Sequence, residues 1–119
     1  MRTLRVLVVD DNELVGQSVL RVLRPHTVVH ERDPIRALGL ALTQPFDGIL
    51  VDVDMPDITG IEFIAKLEEY APQIARKAVV LTGSSEVDEG EVATPLVWKP
   101  FTREDVDRLY WWWTGGDKE

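Results

Sequence analysis

The sequence predicts an open α/β fold in which a five-stranded parallel sheet is covered by helices on both faces. Two observations support this prediction. Five short apolar runs alternate along the chain with segments whose apolar residues recur at three- and four-residue spacing. Most of these runs are continuously apolar, which is typical of strands buried on both faces. Because crossovers between parallel strands are right-handed, such a chain winds into a doubly wound sheet.

The first two strands are expected at residues 4–9 and 27–30, both rich in β-branched residues. Between them, residues 12–24 carry an apolar stripe at helical spacing, and Pro25 ends the helix.

The second helix is expected to begin at Asp33, with Pro34 at its first helical position. Asp is a favoured N-cap and Pro is favoured at the next position. Ile35, Leu38 and Leu42 are expected to face the core.

A third strand is expected at 47–51, an amphipathic helix at 60–70 and a fourth strand at 77–82. A short fifth strand at 95–98 precedes a final helix at 102–113, which opens with a Thr and an Asp at the spacing of a capping box.

The segment between strands four and five does not show the apolar spacing of a regular helix. It must contain the fourth helix, yet residues 84–94 hold a Gly and two Val residues and are weak helix formers. We therefore expect the fourth helix to be short or irregular.

The chain is predicted to be a single domain. Its 119 residues are within the size of one domain. We expect residues 1–119 to form that domain, with a core at about 4–113 and a tail or linker stub at 114–119. The chain has no cysteine, so disulfides and thiolate metal sites are excluded.

The net charge of −8 disfavours nucleic-acid binding by this chain alone, because such a surface repels phosphate backbones. The apolar run at 4–9 is too short for a signal peptide or a membrane span. These features predict a cytoplasmic protein that does not engage a membrane.

Polar side chains stand at the carboxyl ends of four predicted strands, where open α/β sheets bind ligands. They are Asp10 and Asp11 after strand one, Asp52 and Asp54 at strand three, Thr82 at strand four and Lys99 at strand five. Each has an ordinary explanation when taken singly, since acids also favour helix N-termini. Their coincidence at one sheet edge favours a common site.

Three carboxylates at one edge repel each other, and a hard divalent cation reverses that effect. Asp11 and Asp52 could bind Mg²⁺ directly and Asp10 through water. Lys99 and Thr82 would add a positive charge and a hydroxyl for a phosphate. This set suits phosphoryl transfer to a carboxylate.

With these residues in place, the chain resembles the receiver domain of two-component response regulators. The resemblance covers about residues 4–113. Its motifs are "VVDDN" (8–12), "LVDVDMPDITG" (50–60), "VVLTG" (79–83) and "WKPF" (98–101). It implies a flavodoxin-like sheet with strand order 2-1-3-4-5.

The resemblance further implies that Asp52 accepts a phosphoryl group from a histidine kinase, a phosphotransfer protein or a small phosphodonor. Asp10 and Asp11 match the acidic pair that holds Mg²⁺ or Mn²⁺, and the position of Asp54 supplies a backbone carbonyl to the metal. Catalysis would be limited to the domain's own phosphotransfer and dephosphorylation, so the chain is not expected to be an enzyme in the ordinary sense.

Thr82 matches the family's switch hydroxyl and Lys99 the Lys that pairs with the phosphoryl group, with a cis peptide bond before Pro100. The small residue at Gly83 fits open access to the site. Asp54 and Ser84 lie where the family tunes phosphoryl lifetime.

The sequence departs from the family at Leu96, where an aromatic switch residue is usual. Trp98 is expected to lie on the opposite face of the strand and so not to replace it. Trp111 and Trp112 fall off the apolar stripe of the last helix. They either cover the sheet edge or the region of the fourth helix, or they form a homodimer or downstream-partner surface with the fourth helix, strand five and the last helix.

Two alternatives remain open. One is a degenerate receiver that acts as a constitutive protein-binding module. The other is a phosphatase of the haloacid-dehalogenase type, because "ILVDVD" (49–54) resembles its nucleophile motif. In that superfamily, however, the motif is on the first strand and the acidic pair comes last.

Overall fold

The computed structural model describes residues 2–53, 55, 58–83 and 95–115. The strands are β1 (Arg5–Val9), β2 (Thr27–Glu31), β3 (Gly48–Asp52), β4 (Ala78–Thr82) and β5 (Leu96–Trp98). The helices are α1 (Glu13–Leu23), α2 (Pro34–Thr43), α3 (Gly60–Tyr70), the one-turn α4 (Pro72–Ala75) and α5 (Arg103–Thr114).

The five strands form one parallel sheet with the order β2-β1-β3-β4-β5. The predicted fold class and strand order are thereby confirmed. Strands β3 and β4 are buried along their whole length, as their continuous apolar sequences require.

Each face of the sheet has its own apolar core. One core packs α1 and α5 against the sheet and is centred on Val8, Leu50 and Leu81. The other packs α2 and α3 and is centred on Leu7, Ile49 and Val51. Successive residues of β1 and β3 therefore point to opposite cores, which is the two-sided burial that the apolar runs predict.

Side-chain caps begin the four longer helices where the sequence places them. The caps are Asn12 for α1, Asp33 for α2, Thr59 for α3 and Thr102 for α5. Thr59 and Thr102 both form full capping boxes, in which the third helical residue returns a hydrogen bond to the cap.

The prediction that Ile35, Leu38 and Leu42 of α2 face the core is wrong for two of the three residues. The side chains of Ile35 and Leu42 are 67% and 36% exposed, whereas Ala37 and Ala41 are buried. Small residues face the sheet and allow α2 to approach it closely, so the helix is rotated relative to the expected orientation.

The expected placement of Trp98 is also wrong. Side chains two residues apart on a strand share a face, so Leu96 and Trp98 point the same way. Val97 points to the opposite side and is buried in the α1/α5 core. Trp98 remains 43% exposed.

Several predictions lie outside the described residues: the fourth helix within 84–94, the carbonyl of Asp54, and Ser84. The one-turn α4 at Pro72–Ala75 was not predicted. Within the described ranges, no helix combines the length and apolar character needed to cross a membrane.

Candidate functional site

Three acidic side chains meet at the carboxyl ends of β1 and β3. Strand register pairs Val9 with Val51, so the residues that follow, Asp10 and Asp52, lie side by side. Asp11 joins them, and one carboxylate oxygen from each of the three lies within 4.8 Å of the others. Asn12, rather than either of the neighbouring acids, caps α1, so the acidic pair has no capping role that would explain it.

Asp10 is the most deeply buried of these acids. It is fully buried and Asp52 is 3% exposed, whereas Asp11 is partly exposed. Burial raises the pKa of the Asp10 carboxyl, and the negative charge of Asp52 raises it further. The hydrogen bond from the Asn12 N–H to Asp10 Oδ1, at 2.8 Å, acts in the opposite direction.

Lys99 brings a positive charge to the same point. Its Nζ lies 3.2 Å from Asp52 Oδ1 and 3.9 Å from Asp10 Oδ2. The Lys99 N–H donates to the carbonyl of Thr82 at 2.8 Å, and the peptide bond between Lys99 and Pro100 is cis. One ammonium therefore faces two buried carboxylates, which leaves the described site with an excess of negative charge.

Thr82 ends β4 beside this cluster and is fully buried. Strand pairing aligns Asp52 with Leu81, so Thr82 lies one residue further along the neighbouring strand. A Cβ built on Gly83 would lie 3.6 Å from the Lys99 side chain, an ordinary contact distance. The glycine is therefore not needed to avoid a clash there.

The donor set fits a hard divalent cation. It consists of carboxylate oxygens, which Mg²⁺ and Mn²⁺ prefer over nitrogen or sulfur. Among the residues that the structure describes, Asp10 Oδ2 is buried without a hydrogen-bond partner. A buried charged oxygen in that position is costly unless a positive group satisfies it, and a cation bound by the three acids would do so.

Gly60 is a site residue that sequence reasoning missed. It begins α3, and its N–H donates to the carbonyl of Val53 at 3.1 Å. A Cβ at this position would lie 2.4 Å from the carbonyl oxygen of Asp52. Only glycine lets α3 start directly against the backbone that carries Asp52. A glycine directly after the Thr59 cap was the available signal.

Two side chains from the β2 edge were also missed. His30 Nε2 lies 2.9 Å from the carbonyl of Asp10, and Arg32 Nε donates to the carbonyl of Asp11 at 3.2 Å. Neither belongs to a recognisable motif, and the contacts depend on how β2 pairs with β1. The sequence therefore held no local signal for them.

An apolar groove of about 410 Å³ borders the site on the α1 side. It lies between the first turns of α1 and the segment that joins β5 to α5. Its lining includes Leu14, which is 75% exposed, together with Lys99 and Phe101. Lys99 therefore contacts the acidic cluster and also borders this apolar groove.

Residues 6–107 match the family model described as the response regulator receiver domain. Among curated proteins, a protein-glutamate methylesterase/protein-glutamine glutaminase of Enterobacter cloacae is 33% identical over 87 residues, which are 70% of this chain and 25% of that protein. The hydrogenase transcriptional regulatory protein HoxA of Cupriavidus necator is 36% identical over 87 residues, 71% of this chain and 17% of that protein. The chain thus spans a quarter or less of these two relatives.

Solved structures agree with this match. The chemotaxis protein CheY4 of Vibrio cholerae superposes with a TM-score of 0.78 at 28% identity, covering 92% of this chain and 97% of that one. The receiver domain of the sensor histidine kinase PA1611 of Pseudomonas aeruginosa superposes with a TM-score of 0.81, covering 96% and 99%. At 24% identity, the second likeness concerns the fold alone.

Proposed function

Because this chain belongs to the response regulator receiver domain family, we propose that it is a phosphorylation-dependent switch whose Asp52 accepts a phosphoryl group. The observation that carries the proposal is the buried carboxylate of Asp52 with Lys99 Nζ 3.2 Å from its Oδ1. A carboxylate nucleophile beside a fixed ammonium is suited to an incoming phosphoryl group, whose oxygens need positive partners. The donor would be a histidine kinase or a phosphotransfer protein.

In the proposed step, an Asp52 oxygen forms a bond to phosphorus as the bond between phosphorus and the donor's imidazole nitrogen breaks. The imidazole leaves with the bonding electron pair and is neutralised by a proton. Lys99 stays charged throughout and offsets the oxygens of the transferred group. The product is an acyl phosphate on Asp52.

Asp10, Asp11 and Asp52 would hold the divalent cation that this transfer requires, Mg²⁺ or Mn²⁺. When bound, the cation supplies charge neutralisation between the acidic cluster and the phosphoryl oxygens. The backbone carbonyl of Asp54 is proposed as a further ligand from its place in the family motif.

Thr82 is proposed as the hydroxyl that donates to the new phosphoryl group. It lies beside Asp52 on the neighbouring strand, so a small shift of the end of β4 could bring the hydroxyl to a phosphoryl oxygen. Leu96 of β5 pairs with Val80 of β4. A shift of β4 would reach the β5 surface through this pairing, without the aromatic residue that the family uses.

The proposed output surface lies on β5 and α5. Trp111 and Trp112 are 50% and 54% exposed, and Trp112 lines a groove with Leu96. Large exposed aromatic side chains in contact with a groove are typical of protein interfaces. A second copy of the chain or a downstream protein is the proposed occupant.

Substitution of the nucleophile tests the proposal. Wild-type protein incubated with Mg²⁺ and acetyl phosphate should gain one phosphoryl group, measured by intact mass. Asp52→Asn should gain none, because an amide cannot form the acyl phosphate. Asp54→Asn should still be phosphorylated and should change only the rate or the lifetime. An Asp54→Asn variant that gains no phosphoryl group would contradict this division of roles.

Two further assays on the wild-type protein distinguish a working receiver from the two alternative functions. A haloacid-dehalogenase-type phosphatase would hydrolyse an excess of p-nitrophenyl phosphate, whereas a receiver acquires one labile group without turnover. A degenerate receiver would show no Mg²⁺-dependent change in Trp fluorescence on adding phosphodonor. Trp98 adjoins Lys99 in the chain and is partly exposed, which makes it a suitable reporter.

A further inference from the structure

His30 is a half-buried side chain near the end of β2 that the proposed reaction does not use. Its Nε2 lies 2.9 Å from the main-chain carbonyl oxygen of Asp10. A carbonyl oxygen can only accept, so Nε2 carries the proton and donates this hydrogen bond. The ring therefore links the main chain of Asp10, the most deeply buried acid of the site, to the neighbouring strand β2.

The ring of His30 fits only because residue 16 is glycine. A Cβ built on Gly16 would lie 2.1 Å, 2.3 Å and 2.6 Å from three ring atoms of His30. Glycine within a helix is unfavourable relative to alanine by roughly 0.5–1 kcal/mol, so its presence in α1 calls for a compensating contact. The imidazole occupies the volume that any other side chain would fill.

Without this bond, the Asp10 backbone would be held less firmly. Its N–H reaches the carbonyl of Glu31 at 3.3 Å, a long hydrogen bond, and the chain leaves the sheet at this residue. The bond from Arg32 to the Asp11 carbonyl is also long, at 3.2 Å, and is exposed. Among these three bonds to the main chain, the His30 bond is the shortest and is partly buried, so it should contribute most to the position of the Asp10 backbone, while the Asn12 N–H holds Asp10 Oδ1.

We propose that His30 is a positioning residue for the cation site: its hydrogen bond to the Asp10 carbonyl, made possible by Gly16, sets where the Asp10 and Asp11 carboxylates point. This inference rests on the proposed function, because it presumes that the acidic cluster binds a divalent cation. Groups that orient metal ligands without touching the metal commonly affect its affinity.

Isothermal titration calorimetry with Mg²⁺, without a phosphodonor, tests the role of His30. The measurement is made at a temperature at which every variant is folded. His30→Ala should weaken binding about tenfold, the low end for groups behind metal ligands, while His30→Gln should lose no more than about threefold because its amide can donate at similar reach. The matched control is His26→Asn. His26 precedes the opposite end of β2, so this variant should keep the wild-type affinity whatever it does to stability.

A double-mutant cycle with Gly16 tests the physical cause. In the presence of His30, Gly16→Ala should displace the ring and weaken Mg²⁺ binding about as much as His30→Ala. In the His30→Ala background the same substitution should leave the affinity unchanged, since residues in contact show such non-additivity. It should then raise the melting temperature, as an added helical alanine normally does.

The possible outcomes separate this inference from the proposed function. Weaker binding in His30→Ala, rescue in His30→Gln and the non-additive cycle support the positioning role. If wild-type protein binds Mg²⁺ in an Asp11-dependent manner and His30→Ala binds it equally well, the positioning role is overturned and the proposed function stands. If wild-type protein shows no Asp11-dependent binding, both are overturned.

Discussion

Asp10 combines two costs that a folding chain normally avoids. Its carboxylate is fully buried, and its Oδ2 has no hydrogen-bond partner among the described residues. Burial and the charge of Asp52 both raise its pKa, so the ionised form is unfavourable. Lys99 Nζ, 3.9 Å away, offsets only part of this because it lies closer to Asp52. The site therefore stores repulsion that a bound cation or phosphoryl group can change.

Removing one charge should release part of that repulsion. Asp10→Asn should raise the free energy of unfolding of the metal-free protein by about 1 kcal/mol, the scale of a single stabilising substitution. It should also reduce the increase in melting temperature on adding Mg²⁺. Urea denaturation with and without Mg²⁺ measures both effects.

Asp11→Asn is the matched control for that substitution. Asp11 is partly exposed, so its charge is better solvated and its removal should leave the metal-free stability nearly unchanged. The Mg²⁺ response should still be lost. A metal-free Asp10→Asn variant less stable than wild type would show that the buried charge is not a source of stored repulsion.

At the scale of single elements, the aromatic side chain of Trp113 links α5 to the backbone at the edge of the sheet. Trp113 Nε1–H donates to the carbonyl of Lys77 at 2.8 Å. Its ring covers Gly48, where a Cβ would come within 2.2 Å of the indole. The helix that carries the proposed output surface is thereby positioned against the starts of β3 and β4.

Trp113→Phe should therefore destabilise the protein by about 1–3 kcal/mol, because the Lys77 carbonyl keeps only its bond from the Ile49 N–H and part of the packing over Gly48 is lost. Trp111→Phe is the control on the same helix. Trp111 is 50% exposed, so its substitution should change stability by less than about 0.5 kcal/mol. Guanidinium denaturation of both variants compares them directly, and equal losses would contradict the anchoring role of Trp113.

Helix boundaries were more predictable than helix orientations. The N-caps of α2 and α5 lie at Asp33 and Thr102 as expected, since capping is a local interaction. The buried face of α2 was not predictable from its apolar residues, because Ala37 and Ala41 face the sheet and Ile35 faces solvent. Which stripe is buried depends on how closely the helix approaches the sheet, and that distance is set by partners elsewhere in the chain.

At the scale of the whole molecule, His26 links three distant segments at the end of the sheet opposite the site. Its Nδ1 accepts a hydrogen bond from the Leu4 N–H at 2.9 Å, and its ring stacks on Tyr110 of α5. Because Nδ1 accepts, the ring must be neutral with its proton on Nε2. Burial lowers the pKa of His26, and the positive charge of Arg103 lowers it further, while Asp47 acts in the opposite direction.

This lowered pKa predicts a pH-dependent stability. In the unfolded chain His26 binds a proton as the pH falls through 6.5, its ordinary pKa, whereas the folded protein resists protonation. The contribution of neutral His26 is therefore fully present above pH 6.5 and is lost as the pH falls from there toward the folded pKa. The part of the melting temperature that depends on His26 should therefore decline between pH 8 and pH 5, whereas the raised pKa of Asp10 acts in the opposite direction.

His26→Asn should remove that part of the decline, because its side-chain oxygen can accept from the Leu4 N–H and does not titrate. His30→Gln keeps His26 and should retain the wild-type decline. If His26→Asn follows the wild-type pH profile, His26 is not the group responsible.

Local patterns were sufficient for the chain order of the five strands and the four longer helices, and for the polar residues at the strand ends. Apolar runs, caps and prolines act on neighbours in the chain, and parallel strands necessarily bring their carboxyl ends to one edge. Contacts between distant segments decided the rest. The fit of His30 over Gly16, the contact of Gly60 with the Asp52 backbone and the buried face of α2 each depend on packing between residues on different elements. Such packing has no period or motif in the sequence, because it arises only when the elements meet.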